Sequence, residues 1–359
     1  MASNRRSYQA ESLQDYIRII KEENLEDYIS RGEDRKYPLI TAAAFRSSDH
    51  LDIQAMTEDF QNYIGNELTE LQKKHFMAFS QHYGLPTNLL DFTYSPLISL
   101  YFASCGDPQE EGYIYLLNKD RMVNLTRHVE YICPGMLSRL ILGEAKDSVL
   151  FDGITNVFCI HEEYVTELLY CVDYMLGDYP GNEELRMALR GAVKKIEEVG
   201  YFSIDWLDPV IRILKKRLRE LDFSLTGSSR QWGSFGTVFI GAMRLLLLQC
   251  HQKGGFYLPV YFTYEPANIA RRVSNQSSVL LYQLYGINSL RQNICPDAVI
   301  KIRNKEQIQK DLDHLGINER FIFNDYDHIA SYIKKKHLEK AKTSDLSWEQ
   351  LCRMVKNLG

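Results

Sequence analysis

Three hydrogen-bonding side chains fall at alternate positions of one short run: Asp91, Thr93 and Ser95 in QHYGLPTNLLDFTYSPLISLYFA, residues 81–103. Alternate residues of an extended segment share a face, so these three line up while Phe92 and Tyr94 turn to the other side. Gly84 and Pro86 mark the turn that precedes them. Ser95-Pro96 reads as an N-cap followed by proline at the first helical position. The helix after it, PLISLYFA, is apolar nearly all round and must be buried. A carboxylate and two hydroxyls at the mouth of a buried helix can form the floor of a polar pocket. The plainer alternative is a strand end with its helix cap.

Other chemistries find little support. There is no CxxC pair, HExxH or EF-hand loop, and His161-Glu162-Glu163 lacks a second His at helical spacing, so no metal site is expected. The run GSSRQWGSFGT (227–237) has no Lys-Ser/Thr ending and reads as a surface loop rather than a P-loop. No GxSxG elbow exists, and no cysteine sits in a nucleophile motif. KKKHLEKAK reads as a solvated helix face. Asp325 and Asp327 stand two apart, and Asp325 is expected to cap the helix that follows.

Composition sets outer bounds. A chain of 359 residues exceeds the usual single-domain size and can bury a substantial core. A net charge of −5 gives no bulk electrostatic reason to expect nucleic acid or an anionic membrane as partner. The start, MASNRRSYQAESLQDY, has no apolar signal-peptide core, and the longest apolar runs, such as MRLLLL, are far shorter than the roughly 18–20 residues of a spanning helix. Seven cysteines without a close pairing pattern suit a reducing compartment. A soluble cytoplasmic protein is expected.

The elements that would position these residues can be read from periodicity. Residues 11–29 form an amphipathic helix with Leu13, Ile17, Ile20 and Leu25 on one side. A strand follows around Arg31, then a loop through Tyr37-Pro38. Residues 51–80 are helical, with an apolar stripe of Phe60, Ile64, Leu68, Leu71 and Phe76. Gly112–Leu117 reads as a strand, and 160–250 as an inserted helical bundle. FYLPVYFTYEP, SSVLLYQLYG and the end of INSLRQNICPDAVIKI are further strand candidates, and 304–316 and 325–342 are helices. The expected fold class is α+β, a mixed β-sheet assembled from distant segments with a large helical insertion. The expected division is 1–125, a helical insertion at 126–252, a second part of the first domain at 253–340, and a helical tail at 341–359.

The run at 81–103 resembles the signature of the FRG domain family, which is close to Q-H-[YF]-G-[LI]-P-T-x-L-L-D-[WF]-T-x-S-P-x-x-A-L-x-F-A. Gln81, His82, Gly84, Pro86, Thr87, Leu89, Leu90, Asp91, Phe92, Thr93, Ser95, Pro96, Phe102 and Ala103 match, and Ser99 stands where the family prefers Ala. The family's Phe-Arg-Gly strand and the Arg that closes the next run appear as Arg31-Gly32, Tyr37, Leu39 and Arg46, with Ser30 in place of Phe and Thr41 in place of Pro. Its R-x-x-x-Q-x-G-x-F appears as Arg272, Gln276, Ser278 and Leu280, without the Gly and Phe. Its closing segment appears as FNDYDHIA, with Phe323, Asp325, Asp327, Ile329 and Ala330 matching. The likeness covers most of 10–335, and proteins of this resemblance look like effector or accessory parts of bacterial and phage conflict systems.

The order of these motifs is also similar to that of ADP-ribosyltransferase folds. Those place an Arg-Gly on an early strand, a Ser-Thr-Ser-like strand running into a helix, and a catalytic Glu on a later strand. The likeness implies an ADP-ribosyltransferase-like sheet and NAD as substrate, with no metal. Arg31 and Gly32 would meet a phosphate or diphosphate, since an arginine fork holds phosphate bidentately. Thr93 and Ser95 would orient nicotinamide and ribose, and His82 and Arg272 would complete the nucleotide site. Asp91, Gln276 and Glu265 are the catalytic candidates; Gln276 brings no charge, so Asp91 or Glu265 must supply the carboxylate that steadies an oxocarbenium-like centre. Two alternatives stand beside it. In one, the same cleft binds a nucleotide or partner without turnover, and the insertion offers a protein-partner surface. In the other, Arg31 and Asp91 are a structural ion pair.

Overall fold

Alternation in short β-branched and aromatic runs builds the sheet on which every candidate residue sits. The computed structural model describes residues 6–46, 51–126, 135, 137, 138, 141, 166, 169, 170, 172–174, 176, 177, 179–201, 203–221, 234–249, 255–269, 271–286 and 290–344. Within them are eight strands: β1 (Arg6–Ala10), β2 (Tyr28–Glu33), β3 (Leu89–Thr93), β4 (Gly112–Asn118), β5 (Met122–Asn124), β6 (Tyr261–Tyr264), β7 (Ser278–Tyr282) and β8 (Ala298–Ile302). They form one sheet in the order β1-β8-β4-β2-β3-β7-β6-β5. The edge pairs β1–β8 and β5–β6 are parallel, and every pair between them is antiparallel. The fold is therefore α+β with a mixed sheet drawn from both ends of the chain. The described part of 126–252 adds no strand to it. No helix among the described residues is long and apolar enough to cross a membrane.

Register decides which side chains share a face. Leu116 pairs with Ser30, Ser30 with Thr93, and Thr93 with Ser278, so these four point to one side. On that side Ile114, Leu116 and Ile300 pack under helices Leu13–Glu22, Pro96–Ala103 and Lys305–His314. Leu280, Tyr282 and Phe262, farther along the same face, pack under helices Glu183–Val199, Asp208–Glu220 and Ser234–Gln249. Phe239 meets Phe262 edge-on, with ring centroids 6.0 Å apart. Between the two apolar clusters runs the small polar row Ser30, Thr93 and Ser278. The opposite face buries Ile29, Leu90, Phe92, Leu117, Val279 and Leu281.

Helix Pro96–Ala103 lies unusually close to the sheet. A Cβ on Gly32 would stand 1.9 Å from the carbonyl oxygen of Ser99, and one on Gly112 would stand 1.8 Å from that of Ala103. Both obstacles are backbone, which cannot rotate aside. The small residues on the helix serve the same approach: the Ser30 hydroxyl donates to Ser99 Oγ at 2.9 Å, and Ser99 Oγ donates to the carbonyl of Pro96 at 2.8 Å.

Several elements differ from their sequence reading. The first helix ends at Glu22 rather than near 29, because Asn24 turns into the left-handed region at φ 53° and β2 begins at Tyr28. Tyr16 is its buried aromatic, while Ile17 is 39% exposed. The 51–80 segment breaks into Ile53–Ile64, Glu70–Lys74 and Phe76–His82, with Thr69 starting a capping box with Gln72. Leu71, expected in the apolar stripe, is exposed. Strands β1 and β5 had no sequence reading; each lies at a sheet edge, where five and three residues give periodicity little room. The His161-Glu162-Glu163 run, residues 227–233 of the glycine-containing loop, and 345–359 lie outside the described residues.

Gly32→Ala and Gly112→Ala are each expected to lower the urea midpoint by the equivalent of about 1–3 kcal/mol or more, as overpacking against a fixed neighbour does. Unchanged midpoints in both variants would show that the helix can move away at no cost.

Candidate functional site

β2 and β3 are joined by one residue pair alone, Ser30 with Thr93. Beyond it the two strands separate, and the Arg31 side chain spans the gap. Its Nη1 donates to the Asp91 carbonyl at 2.8 Å, while its Nε donates to Glu33 Oε1 at 3.0 Å. Both ion-pair partners are largely buried, with side-chain exposures of 15% and 9%. The alternative of an Arg31–Asp91 ion pair is thus corrected: Arg31 pairs with the carboxylate of Glu33 and touches only the backbone of Asp91. Its Nη2 has no partner among the described residues.

The Asp91 carboxylate is held elsewhere. Both of its oxygens accept from Gln81 Nε2 at 3.0 Å, and Gln81 Oε1 accepts from the Thr87 hydroxyl, which itself accepts from Leu89 N at 3.2 Å. The amide orientation follows from these partners, oxygen to the donor and nitrogen to the acceptor. The signature run is therefore a local network that aims one carboxylate. Gln81 and Thr87 belong to the signature match, but the sequence reading gave neither a site role, since no periodicity pairs residues six and ten apart across a turn.

Where the strands part, a cavity of about 220 Å³ opens. The structure brings Arg31, Gly32, Asp91, Thr93, Arg272 and Gln276 to its wall, from segments more than 240 residues apart. Phe102 and Phe323 complete it, with their rings edge to face at 6.2 Å. Asp91 is the one carboxylate among the lining residues. The Arg272 side chain makes no hydrogen bond or ion pair among the described residues, yet its charge acts on His82 and Asp325. A larger cavity of about 630 Å³ meets the first at Arg31, Gly32 and Phe102.

The remaining candidates sit as follows. The Thr93 hydroxyl donates to the Gln276 carbonyl at 2.6 Å and accepts from Ser95 N at 2.9 Å, so its hydrogen fixes the turn rather than a ligand. Gln276 donates through Nε2 to the Ile322 carbonyl at 3.2 Å, leaving its side-chain oxygen as an acceptor. Ser95 occupies the N-cap, but its hydroxyl makes no cap bond and does not line the cavity. Glu265 also stays outside: it accepts from the Tyr94 hydroxyl at 3.0 Å. Of the two carboxylates considered for the catalytic charge, Asp91 lines this cavity and Glu265 does not. His82 is not among the residues that line the cavity; burial, then the charge of Arg272, holds its pKa below the usual imidazole value. Just before the late strand, Ser277 is left-handed at φ 46°, whereas Ser278, aligned with the family glycine, is extended in β7.

The closing segment carries Phe323 of the cavity wall and fixes it locally. Asn324 is left-handed at φ 51°, and the Asp325 carboxylate accepts from His328 N at 2.9 Å and contacts His328 Nδ1 at 2.7 Å. Burial pushes the Asp325 pKa up, but these His328 contacts outweigh it and the net direction is down. The His328 ring stacks on Phe323 at 4.0 Å. Cys105 lines the larger cavity, but burial pushes its thiol up to about 11, which leaves little thiolate at neutral pH.

Residues 26–112 match the family model of the FRG domain. No curated protein and no solved structure matched the chain.

Arg31→Ala should destabilise the fold by about 3–5 kcal/mol, because it leaves the Glu33 carboxylate buried without its partner. Arg272→Ala, with no bond to lose, should stay within about 0.5 kcal/mol of wild type. Denaturant titration of both variants checks this, and equal stability of the two would remove the structural assignment of Arg31.

Proposed function

The chain carries an FRG domain, and from that premise we propose that it is an ADP-ribosyltransferase-like enzyme that takes NAD or a related nucleotide at the split between β2 and β3. The observation that carries the reading is the position of Asp91: one oriented carboxylate in a cavity shared with an unpaired arginine, an amide oxygen and two aromatic rings. A carboxylate beside a ribosyl centre stabilises the positive charge that develops as the glycosidic bond breaks. The C–N bond to nicotinamide breaks with its electron pair leaving on the ring nitrogen. An acceptor oxygen or nitrogen then bonds to the anomeric carbon and releases its proton to solvent.

Roles for the other residues follow from their free valences. Arg272 and the Nη2 of Arg31 would meet phosphate oxygens, since charge-assisted contacts to phosphate favour guanidinium. The Gln276 side-chain oxygen would accept from a ribose hydroxyl. Phe102 and Phe323 would flank the nicotinamide ring. This reading would place the chain with effectors of bacterial and phage conflict.

One observation favours a second reading, a nucleotide-binding module without turnover. The turn before β7 offers Gln276 where an acid would be expected, and both oxygens of Asp91 already accept from Gln81. The two readings part on a single substitution. Asp91→Asn should reduce nicotinamide release from NAD about a hundredfold or more in an enzyme, with NAD affinity changed only a few-fold. Nicotinamide release is followed by chromatography with protein and nucleic-acid acceptors present, and binding by calorimetry. Heat of binding without release in the wild type would select the binding module; neither heat nor release would overturn both.

A further inference from the structure

The smaller cavity, at about 220 Å³, falls below the roughly 300–1,000 Å³ of usual ligand pockets, so it holds a ring and a sugar rather than a whole dinucleotide. The adjoining cavity of about 630 Å³ has a different character. Three guanidinium groups, from Arg31, Arg46 and Arg291, face two carboxylates, and one of those, Glu33, is already bound to Arg31. Arg46 and Arg291 have no acidic partner among the described residues. Each uses one nitrogen to hold the loop it lines: Arg46 Nε donates to the Thr41 carbonyl at 3.0 Å, and Arg291 Nη1 to the Phe45 carbonyl at 2.9 Å. The other nitrogens remain available as donors.

The same chamber carries two aromatic rings whose positions are fixed. The Tyr37 hydroxyl donates to Asp34 Oδ1 at 3.1 Å, and the Arg35 guanidinium lies over its ring at 5.3 Å. Phe45 packs against Tyr285 with centroids 5.2 Å apart. The loop bearing them is tied to the sheet, because Ala42 N donates to Gln283 Oε1 at 2.8 Å and Ala44 N to the Thr87 carbonyl at 3.1 Å. Aromatic faces take nucleobases regardless of sequence, and preordered arginines take phosphate.

Building on the proposed reading of the smaller cavity, we infer that the larger chamber is a nucleoside-phosphate subsite, formed by Tyr37, Phe45, Arg46 and Arg291, that selects dinucleotides over mononucleotides. The nicotinamide riboside end occupies the smaller cavity, the diphosphate crosses at Arg31 where the two chambers meet, and the second nucleoside phosphate enters the larger one.

Calorimetric titration of the full chain with NAD, nicotinamide mononucleotide and ADP tests the assignment. NAD is expected to bind at least about tenfold more tightly than the mononucleotide, and ADP is expected to compete with NAD. Arg46→Ala, an exposed position, and Tyr37→Ala should each weaken NAD and ADP about tenfold or more while leaving the mononucleotide unchanged. Equal affinity of NAD and the mononucleotide for the wild type, or NAD binding untouched by both variants, would overturn this inference and leave the smaller site standing. Binding of none of the three ligands would overturn the smaller site's reading as well.

Discussion

The close approach of helix Pro96–Ala103 to β2 and β4 is the constraint on which the rest depends. Backbone contacts at Gly32 and Gly112 leave no room for a Cβ, so the helix sits lower on the sheet than ordinary side-chain packing allows. That position puts Phe102 against the start of the gap between β2 and β3 and lets Ser30 reach Ser99. It also explains why Ser99 and Ala103, small residues, occupy the face toward the strands. The glycine of the Arg-Gly pair therefore has a packing reason of its own, alongside its place on the cavity wall.

From that geometry follows the division of the sheet's helix-covered face. One apolar cluster gathers beneath the helices at its β1 side, and a second gathers beneath the helices between 183 and 249. Neither reaches the row Ser30, Thr93 and Ser278, whose small polar side chains cannot hold an apolar lid. A cavity survives there because the two cores end on either side of it. The single residue pair between β2 and β3 lets the strands separate at the same place, and Arg31 substitutes a side-chain hydrogen bond for the missing ladder.

Most candidate polar groups at the site turn out to hold the structure as well as line it. Thr93 and Gln276 link the signature strand to the turn before β7 and to the Ile322 carbonyl, and Arg31 neutralises Glu33. Such fixed partners restrict side-chain motion, which is the condition for an oriented site. Asp91 and Arg272 differ from the rest. The first is exposed yet aimed by Gln81, and the second lacks a bonded partner, so these two retain the most capacity to meet a ligand.

Local pattern was enough for alternation in Leu89–Thr93, the proline-started apolar helix, the helices between 183 and 249 and the strand at Arg31. These are short-range properties, set by side-chain period and backbone preference within a few residues. It also marked the stretch where chemistry would concentrate, since a polar triplet entering a buried helix is visible without neighbours. Tertiary structure alone decided the partners. Nothing in residues 28–33 shows that Arg31 will choose Glu33 over Asp91, that Glu265 will face Tyr94 instead of the cavity, or that Phe102 and Phe323 will meet across more than 200 residues. Pairing, register and the depth at which a helix sits arise from contacts between segments far apart in the chain. Those long-range contacts, and not local pattern, separated the structural tie from the group left free to bind.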